Sequence, residues 1–429
     1  MIVKFYTLGC KVNQYDTQEI RERFLEAGFI EAKGKEVADL YVVNTCTVTA
    51  KADKDSLYYV HRSHRENPKA KIIVTGCLAE LERKRIKAQP GVSLVVSNKN
   101  KNKILFWVTS VRNRSNKGIS FFQGHTRVFL KIQDGCNNFC SYCRVPLARG
   151  KSRSRPLKDI AQEAQRLVAR GFKEIVLTGI CLGSYGEDLN PKSDLVEAIT
   201  ALEAIKGLLR IRLSSIEAND VSDQLIAKIK DSSKLCRHLH IPIQSGDNLI
   251  LKKMSRKYSR EDYLELIKKT KNRVPGLAIT TDVLVGFPGE TQANFQNTLS
   301  LVKKICPLRV HIFPFSPRPQ TAAYNYPMTL QPSVIKERVE QLRMESEKCS
   351  LSFRRKFLGK RLQVLIEGRS PEKSGFWQGY TDSYIKILLK SRKNLKNQQV
   401  FVRLKKLSQD GIIAETLPIG RPFLKVDTL

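Results

Sequence analysis

The 429-residue sequence contains no apolar run of the roughly 18 or more residues that a membrane-spanning helix needs. Its first residues, MIVKFYTLGC, also lack the basic region, apolar segment and cleavage site of a secretion signal. We therefore expect a cytoplasmic protein with no membrane partner. In that reducing compartment the ten cysteines are not expected to form disulfides, so regularly placed cysteines indicate metal ligands or catalytic thiols.

Acidic residues are also scarce. The chain has 41 Asp and Glu against 75 Lys and Arg, which gives a net charge of +34. So large an excess repels itself in a compact fold unless a polyanion shares the surface, and this indicates a nucleic acid partner. The hydrophobic fraction of 41% excludes a wholly disordered chain. The length predicts roughly two to four domains.

The first 97 residues repeat a strand, loop and helix pattern. Short β-rich runs lie at residues 2–7, 40–44 and 71–76, and each is followed by a helical stretch, which predicts a parallel sheet. Farther along, residues 83–133 contain twelve Lys or Arg and no acidic residue, and residues 97–118 are rich in Asn, Lys and Ser. We interpret this stretch as a domain boundary with a basic surface, and a solvated linker is the alternative.

The alternation of strands and helices resumes between residues 127 and 312. Helical patterns such as residues 157–170 separate six candidate strands, at residues 127–132, 174–178, 209–213, 238–243, 278–284 and 309–312. Six such units predict a partial (β/α)6 barrel. Because parallel β/α folds carry their chemistry on the loops after the carboxyl ends of the strands, functional residues are expected there.

The C-terminal part changes character. Residues 332–357 predict a charged amphipathic helix, and RLQVLIE, YIKILLK and QVFVRLKKL then alternate at period two, which predicts a small antiparallel barrel of about five strands. Residues 360–409 contain twelve basic and three acidic residues. Trp377, Tyr380 and Tyr384 suit base stacking, although aromatic residues on strands more often belong to a core. We expect RNA to bind at an Asn-rich turn through Lys390, Arg392, Lys393 and Lys396.

Three cysteines, Cys136, Cys140 and Cys143, lie in DGCNNFCSYCRVPLARG, directly after the first strand of the predicted barrel. A structural zinc site needs a fourth ligand, and no other Cys or His is near. Three thiolates with C-x3-C-x2-C spacing on one loop favour a 4Fe-4S cluster with one open iron, and zinc is the alternative. The open iron can chelate S-adenosylmethionine, whose reductive cleavage yields a 5′-deoxyadenosyl radical.

A second triplet, Cys10, Cys46 and Cys77, is spread over the N-terminal region. Each cysteine directly follows a predicted parallel strand, in TLGC, VVNTC and IVTGC. Adjacent parallel strands release their loops at one edge of the sheet, so the three thiols are expected to converge on a second 4Fe-4S cluster. Any one of them taken alone is more typical of a small buried apolar residue. The other four cysteines are interpreted as structural thiols, although Cys181 follows a barrel strand and would line the cavity.

These motifs resemble those of the radical S-adenosylmethionine methylthiotransferases, and the likeness extends to a basic C-terminal barrel similar to a TRAM domain. The resemblance implies that the C-x3-C-x2-C loop holds the radical cluster and that the N-terminal triplet holds an auxiliary 4Fe-4S cluster. GCKVNQYDT, NTCTVTAKAD, GCNNFCSYC and HIFPFSPRPQTAA resemble the branch that acts on threonylcarbamoyladenosine in tRNA. Arg144 and Leu147 depart from that branch, which usually reads IIPYARG where this chain has RVPLARG.

Other loops of the predicted barrel suit S-adenosylmethionine. Gly179 has no side chain, so the methionine end of the ligand would be able to approach the backbone there. Hydroxyl, amide and carboxylate groups after the following strands would hold the ribose or the amino group. The candidate cofactor-binding residues are Gly179, Ser215, Glu217, Gln244, Asp282 and Gly286. Each motif alone is typical of a structural turn, so the hypothesis depends on their shared position.

The resemblance implies an enzyme that adds a methylthio group to C2 of N6-threonylcarbamoyladenosine at position 37, next to the anticodon, with S-adenosylmethionine and two 4Fe-4S clusters. No catalytic side chain is assigned, because the radical chemistry takes place at the clusters. The expected partners are tRNA and an electron donor such as a flavodoxin or ferredoxin. The implied domains are an N-terminal methylthiotransferase domain, a radical S-adenosylmethionine domain and a TRAM-like RNA-binding domain, at residues 1–115, 122–355 and 357–425.

Three alternatives remain open at this point. Sister methylthiotransferases act on isopentenyladenosine in tRNA or on an aspartate of a ribosomal protein, and they share the same cluster chemistry. A non-catalytic, zinc-dependent RNA-binding protein would also account for the charge and the cysteines.

Overall fold

The computed structural model describes residues 1–110, 118–124, 126–409 and 411–417. Its main sheets, in chain order, are a five-stranded parallel sheet, two adjoining three-stranded parallel sheets and a closed five-stranded barrel, which agrees with the predicted fold class. In these ranges no helix is long and apolar enough to cross a membrane. The predicted domain limits at residues 115 and 425 lie outside the described residues.

The N-terminal sheet consists of β1 (Ile2–Thr7), β2 (Ile30–Glu31), β3 (Leu40–Thr45), β4 (Lys71–Gly76) and β5 (Val92–Val95). Its order is β2-β1-β3-β4-β5, and all neighbours are parallel. Alternate side chains of β3 enter apolar cores on the two faces of the sheet, as Val42 and Val43 do. The helices are α1 (Lys11–Glu26), α2 (Ala50–Glu66), α3 (Cys77–Leu81), α4 (Arg83–Lys87) and α5 (Ile104–Thr109).

Residues 98–109, which the sequence suggested to be part of a domain boundary, fold onto this sheet. A 3-10 helix covers Asn98–Lys103, and Ile104 and Leu105 of α5 are buried against β1 and α1. Lys101 is only 8% exposed, and its Nζ lies 2.8 Å from Oδ2 of Asp16. The linker interpretation is therefore wrong for these residues, because an apolar face and a buried ion pair hold them. Residues 111–117 of the predicted boundary lie outside the described residues.

The central strands are β6 (Arg127–Lys131), β7 (Gln133–Asp134), β8 (Arg153–Ser154), β9 (Glu174–Thr178), β10 (Arg210–Leu213), β11 (His238–His240), β12 (Ala278–Val285) and β13 (Arg309–Pro314). The helices are α6 (Val145–Arg149), α7 (Leu157–Ala169), α8 (Leu195–Glu203), α9 (Asp223–Asp231), α10 (Asn248–Lys253), α11 (Arg260–Arg273), α12 (Gln292–Ile305) and α13 (Pro332–Arg355).

Two parallel sheets, β6-β9-β10 and β11-β12-β13, form the predicted partial barrel. Isolated parallel bridges join them between Ile211 and Leu235 and between Ser215 and His240. Alternate side chains such as Leu130 pack against the surrounding helices in the largest apolar core. The other set of alternate side chains faces the hollow interior of the curved sheet, which we call the lumen.

The C-terminal barrel consists of β14 (Arg361–Arg369), β15 (Phe376–Tyr380), β16 (Lys386–Lys390), β17 (Gln399–Ser408) and β18 (Gly411–Thr416). It closes in the order β14-β15-β16-β18-β17. The prediction of five strands is confirmed, but the fully antiparallel arrangement is wrong, because β16 and β18 are parallel, with Ile387 opposite Ile412. A period-two pattern specifies the buried face of a strand and carries no information about its direction.

Candidate functional site

The structure brings the three N-terminal cysteines to one edge of the first sheet. Cys10 is the N-cap residue of α1, Cys46 directly follows β3, and Cys77 begins α3. Their strands β1, β3 and β4 are neighbours, so their carboxyl ends lie side by side. Cys77 and Cys10 are close enough to Cys46 for their charges to raise its pKa. The expected convergence of the thiols is therefore present in the fold.

Two glycines make this convergence sterically possible. Gly9 precedes Cys10 with φ of +90°, and a Cβ on it would lie 2.7 Å from Sγ of Cys46. Gly76 precedes Cys77 with φ of +98°, and a Cβ there would lie 2.3 Å from the carbonyl oxygen of Thr45. Only glycine combines a positive φ with so close an approach. The GC pairs in the sequence thus reflect the packing of one ligand loop against the next.

The second triplet lies on a single loop after β6. The N–H of Cys136 donates to the carbonyl oxygen of Gly150 at 3.1 Å, and the N–H of Cys143 donates to that of Cys140 at 3.0 Å. Cys136 and Cys140 are near enough to raise the pKa of Cys143 by their charges. The Cys181 thiol donates a hydrogen bond to the sulfur of Cys136. This hydrogen bond lowers the pKa of Cys136 to about 7. Cys181 thus lies next to the C-x3-C-x2-C loop, and its predicted place in the cavity stays a prediction.

The sulfurs of the two triplets are more widely spaced than the ligand atoms of the most compact group of metal-binding side chains in the described ranges. In the described ranges, the one group of three Cys, His, Asp or Glu side chains with ligand atoms within 4.8 Å of one another is His240, Asp282 and His311. Neither cysteine triplet is so compact. Tetrahedral zinc, with Zn–S of about 2.3 Å, brings its sulfurs to about 3.8 Å from one another. A 4Fe-4S cluster is larger and holds its ligands farther apart.

Burial keeps most of these thiols protonated before iron binds. It raises the pKa of Cys46 and of Cys143 to about 12. Burial also raises the pKa of Cys10 and Cys140. Iron binds the thiolate, so assembly of either cluster must release protons.

Two of the six candidate cofactor residues lie near the C-x3-C-x2-C loop. Glu217 forms an ion pair with Nη2 of Arg256, whose Nη1 lies 3.4 Å from Sγ of Cys140. A Cβ on Gly179 would lie 2.8 Å from Oε1 of Gln133. That side chain also donates to the carbonyl oxygen of Gly135, beside Cys136, at 2.7 Å. A carboxylate and a glycine that packs closely against Gln133 thus flank the loop.

The remaining four candidates lie on the β10 to β12 side of the barrel. Ser215 bridges to His240, and Oδ1 of Asp282 lies 3.1 Å from Nε2 of His240. Gln244 has a φ of +64° and forms backbone hydrogen bonds with Asp282 and Leu284. Gly286 packs against helix α13, where a Cβ would lie 2.8 Å from the side chain of Ile335. Their roles in binding S-adenosylmethionine stay predictions.

A buried pair of arginines connects the two triplets, and sequence reasoning missed it. Nη1 of Arg144, the residue after Cys143, donates to Oγ1 of Thr47, the residue after Cys46, at 3.1 Å. Arg318 donates to the same oxygen at 2.9 Å and pairs with Asp53. Both arginines are almost fully buried. The departure of RVPLARG from the usual motif was the available signal, and it marks a contact between domains.

A second buried network centres on Asp16. Its carboxylate pairs with Lys101, Lys131 and Arg149, which come from the N-terminal domain, β6 and α6. Burial alone raises the pKa of Asp16, but the three cations outweigh it and hold the pKa well below its usual value. Arg149 also pairs with Asp134 at 2.8 Å. This network joins α1, which begins beside Cys10, to the wall of the lumen.

A loop of the C-terminal barrel closes one end of the lumen. Nη1 of Arg210 donates to the carbonyl oxygen of Tyr380 at 2.7 Å, and Nη1 of Arg212 donates to that of Asp382 at 3.0 Å. The Arg212 guanidinium lies 4.6 Å from the centre of the Tyr384 ring. Burial raises the pKa of Tyr384, but nearby cations reverse the shift and lower it. Tyr380 and Tyr384 thus belong to a domain contact, which we call the floor of the lumen.

The structure also locates Trp377 and the four basic residues with a predicted RNA role. Trp377 is 5% exposed and packs in the core of the barrel, where Nε1 donates to the carbonyl oxygen of Ser391. The four basic residues of the predicted RNA-binding turn, which we call the basic turn, are all exposed: Lys390, Arg392, Lys393 and Lys396. Nδ2 of Asn397 donates to the carbonyl oxygen of Gly171, which precedes β9. The basic turn is therefore at the amino ends of the barrel strands, opposite the cysteine loops.

Residues 130–302 match the family described as the Radical SAM superfamily, and residues 2–97 match the uncharacterized protein family UPF0004. A threonylcarbamoyladenosine tRNA methylthiotransferase of Bacillus subtilis is 39% identical over 94% of each chain. The protein of that name from Thermotoga maritima is 38% identical over 96% of each chain. A tRNA-2-methylthio-N(6)-dimethylallyladenosine synthase of Clostridium tetani is 34% identical over 88% of each chain.

A solved structure supports the same fold. The radical S-adenosylmethionine methyltransferase TsrM from Kitasatospora setae, with cobalamin and a 4Fe-4S cluster bound, aligns with a TM-score of 0.53. The alignment covers 75% of this chain and 76% of that one at 13% identity. At this level of sequence identity, the similarity shows a shared fold and nothing about function.

Proposed function

The chain belongs to the methylthiotransferases of the radical S-adenosylmethionine superfamily, and we propose that it adds a methylthio group to C2 of N6-threonylcarbamoyladenosine at position 37 of tRNA. The observation that carries this proposal is the identity of 37–39% to threonylcarbamoyladenosine tRNA methylthiotransferases, which cover 94–96% of the chain in three organisms. Relatives that act on dimethylallyladenosine are less similar, at 32–35%. The net charge of +34 supports an RNA substrate.

We propose further that the chain holds two 4Fe-4S clusters. Cys136, Cys140 and Cys143 would hold the cluster that binds S-adenosylmethionine, and the triplet at the edge of the first sheet would hold the auxiliary one, on Cys10, Cys46 and Cys77. When bound, the radical cluster and S-adenosylmethionine supply one-electron chemistry that acts on an unactivated C–H bond. The convergence of three cysteines at one sheet edge and of three on one loop supports both assignments.

Residues around the two cysteine triplets would hold the clusters in place and accommodate the adenine base. Arg256 neutralises Glu217 and places a cation 3.4 Å from Sγ of Cys140, which favours the thiolate. The Arg144–Thr47 contact fixes one triplet relative to the other, since these residues directly follow Cys143 and Cys46. A nucleotide in the anticodon loop lies outside a regular duplex, so its entry into the lumen costs less than flipping a paired base.

The remaining partners follow from this chemistry. Reductive cleavage needs an electron donor, and we propose a small soluble one such as a flavodoxin or ferredoxin. The basic turn of the C-terminal barrel would hold phosphates of the tRNA. We place the protein in the cytoplasm, where tRNA is modified and where thiolates remain reduced.

Mass spectrometry of tRNA nucleosides tests the proposal. A deletion strain should lack 2-methylthio-N6-threonylcarbamoyladenosine and accumulate the unmethylthiolated nucleoside, and the wild-type gene should restore the product. A gene encoding Cys136→Ala, Cys140→Ala and Cys143→Ala should not restore it. Loss of the dimethylallyl or isopentenyl methylthio nucleoside instead would assign the chain to the sister substrate, and unchanged tRNA would contradict the proposal.

A further inference from the structure

A groove of about 520 Å³ lies between α10, which follows β11, and the start of α12, which follows β12. Leu249, Lys252 and Lys253 of α10 form one wall, and Gly289 and Asn294 form the other. A smaller cavity of about 200 Å³ adjoins the groove and shares Lys253 and Gly289 with it. Because both helices follow the carboxyl ends of barrel strands, the groove lies at the same end of the barrel as the cysteine loops.

The wall formed by α10 is attached to the C-x3-C-x2-C loop. Ser141 lies between Cys140 and Cys143 in this loop. Its Oγ donates to the carbonyl oxygen of Lys253 at 2.7 Å, and its N–H donates to that of Met254 at 3.1 Å. A partner seated in the groove would therefore lie directly behind the loop that is proposed to carry the radical cluster.

The lining of the groove is basic. Lys252 and Lys253 are both exposed, and in the part of the chain that the structure describes neither side chain has an acidic partner. Nζ of Lys253 extends over the backbone of Gly289, where a Cβ would lie 2.5 Å from it. The acidic residues just before α10 and α12, Asp247 and Glu290, are buried and already accept hydrogen bonds. The groove therefore offers two free positive charges to a partner.

Exposed apolar side chains accompany this charge. Leu249 is 67% exposed, and Met328, which follows Pro327 of the smaller cavity, is 48% exposed. Neither side chain has a ring on which a base could stack, whereas exposed apolar residues with a charged rim are typical of surfaces that bind another protein. The basic turn, which is proposed to hold tRNA, lies at the opposite ends of the barrel strands. These features favour an acidic protein over RNA as the occupant.

We propose that this groove is the docking site of the electron donor, and that the donor is a small acidic protein that carries one electron. This inference rests on the proposed function. The electron passes from the reduced donor, which is oxidised, to the radical cluster, which is reduced, and no atom is transferred. Because electron transfer slows steeply with distance, the donor must dock close to the cluster it reduces. Transient electron-transfer complexes need only a small interface, and opposite charges guide their encounter.

Charge reversal at the two lysines tests the groove with two probes, an acidic flavodoxin and an acidic 2Fe-2S ferredoxin. Lys252→Glu together with Lys253→Glu should weaken binding of the carriers to the cluster-containing protein by about tenfold or more at low ionic strength. Isothermal titration calorimetry measures this affinity. Formation of 5′-deoxyadenosine driven by a subsaturating reduced carrier should slow by a similar factor. Dithionite is a small reductant that needs no docking groove, so it should drive the reaction equally well in variant and wild type.

Two further variants make the outcome decisive. Lys206→Glu together with Lys230→Glu makes the same change in net charge at exposed positions outside the groove and should weaken carrier binding much less. Leu249→Ser removes exposed apolar surface without a change in charge and should also weaken carrier binding. If the charge reversal also slows the dithionite reaction, normal carrier binding by Leu249→Ser would overturn the proposal.

Three other results would overturn the proposal. The first is unchanged carrier affinity in the groove variants, and the second is a wild-type protein that binds neither carrier. The third is weaker tRNA binding with normal carrier binding in the charge-reversed variant, which would mean that the groove holds RNA.

The proposed function fails separately from the docking groove. If the wild-type protein forms no 5′-deoxyadenosine with dithionite, the assignment of the radical cluster is wrong. If it forms this product with dithionite but the groove variants keep their full affinity for the carriers, the chemistry is right and only the docking site is wrong.

Discussion

The two cysteine triplets are constructed in different ways. Residues 136–143 carry one triplet on a single loop after β6, whereas Cys10, Cys46 and Cys77 come from three strands of a sheet and meet only when that sheet is folded. The first triplet depends on one loop conformation. The second depends on the strand order of a whole domain and on its docking against the barrel. Local and long-range sites of the same chemistry should therefore respond differently to mutation.

The largest effect is expected from removal of the local triplet. A Cys136→Ala, Cys140→Ala, Cys143→Ala variant, reconstituted without oxygen, should keep about half of the roughly eight irons expected for two clusters. It should form no 5′-deoxyadenosine and no methylthiolated RNA, because S-adenosylmethionine has no iron to bind. Iron analysis and chromatography of the products measure both. Full iron content, or stoichiometric zinc in the wild-type protein, would contradict the assignment.

Removal of the long-range triplet should separate the two activities. A Cys10→Ala, Cys46→Ala, Cys77→Ala variant should also keep about half of the iron. It should still form 5′-deoxyadenosine, because the loop after β6 is intact, but it should make no methylthiolated product. A matched variant with Cys236→Ala, Cys306→Ala and Cys349→Ala, which removes three thiols outside both triplets, should keep both activities. Normal product from the first variant in a single turnover would show that convergence of these thiols has no functional role.

Loosening the domain contact should affect the long-range triplet more than the local one. Asp16→Asn removes the negative charge that neutralises Lys101, Lys131 and Arg149. Removal of one member of a buried ion network lowers the free energy of unfolding by about 3–5 kcal/mol. Denaturant unfolding measures this loss. Methylthiolation should fall more than formation of 5′-deoxyadenosine, since α1 begins beside Cys10.

The control is Asp223→Asn, which removes an aspartate that also pairs with two cations. Asp223 and its partners Lys269 and Arg273 are exposed, so solvent screens the pairs and the loss of stability should be much smaller than for Asp16→Asn. Equal destabilisation by the two substitutions would show that burial of the Asp16 network contributes nothing.

The contribution of Asp16 to the free energy of unfolding should be lost at low pH. Because its cations hold the pKa of the folded state well below the usual value, the stabilisation is complete above the pKa of the unfolded state, about 3.9, and is lost as the pH falls below it. The difference in unfolding free energy between wild type and Asp16→Asn should be constant from about pH 8 to pH 5 and should shrink below about pH 4. Cluster-free protein is the sample to use, since acid also removes iron. A difference that grows toward low pH would give the opposite sign and refute the argument.

The smallest effect is expected from the basic turn, which neither triplet needs. Replacing Lys390, Arg392, Lys393 and Lys396 with Ala should leave iron content and 5′-deoxyadenosine formation unchanged. The slope of log affinity for tRNA against log salt should become shallower by about 0.7–0.9 for each phosphate contact that is lost. A control that replaces four exposed lysines elsewhere, at positions 33, 35, 206 and 230, removes the same net charge and should change the slope less. Equal slopes in both variants would move RNA recognition away from the barrel.

The sequence predicted the strands better than it predicted the contacts between domains. β1, β4 and β9 have the predicted bounds, because short buried strands end at glycine or polar residues that are visible locally. The convergence of Cys10, Cys46 and Cys77 also follows from local position, since neighbouring parallel strands end at one edge. The pairing of Arg144 with Thr47 spans 97 positions and that of Arg318 with Thr47 spans 271, and no local pattern encodes such a partner.

The charge of a segment was a poor guide to the surroundings of two residues in it, because those surroundings also depend on distant contacts. Lys101 lies in an acid-free stretch that is typical of a solvated surface, yet it is buried against Asp16. Tyr384 lies in a basic tail that suits nucleic acid, yet it is held between arginines of another domain. Composition describes the average environment of a segment, whereas burial of a single charge depends on one distant partner.

If the basic turn binds RNA as proposed, its position would set a minimum size for the substrate. It lies beside Gly171 at the amino ends of the barrel strands, and the cysteine loops lie at the carboxyl ends. A five-residue strand such as β6 is about 17 Å long at about 3.3 Å per residue. A tRNA stem is an A-form duplex, and several of its base pairs are needed to cover that length. If the basic turn binds the stem as proposed, an RNA trimmed to the loop alone would reach the lumen but not the turn, and the stem would act as a spacer between the two.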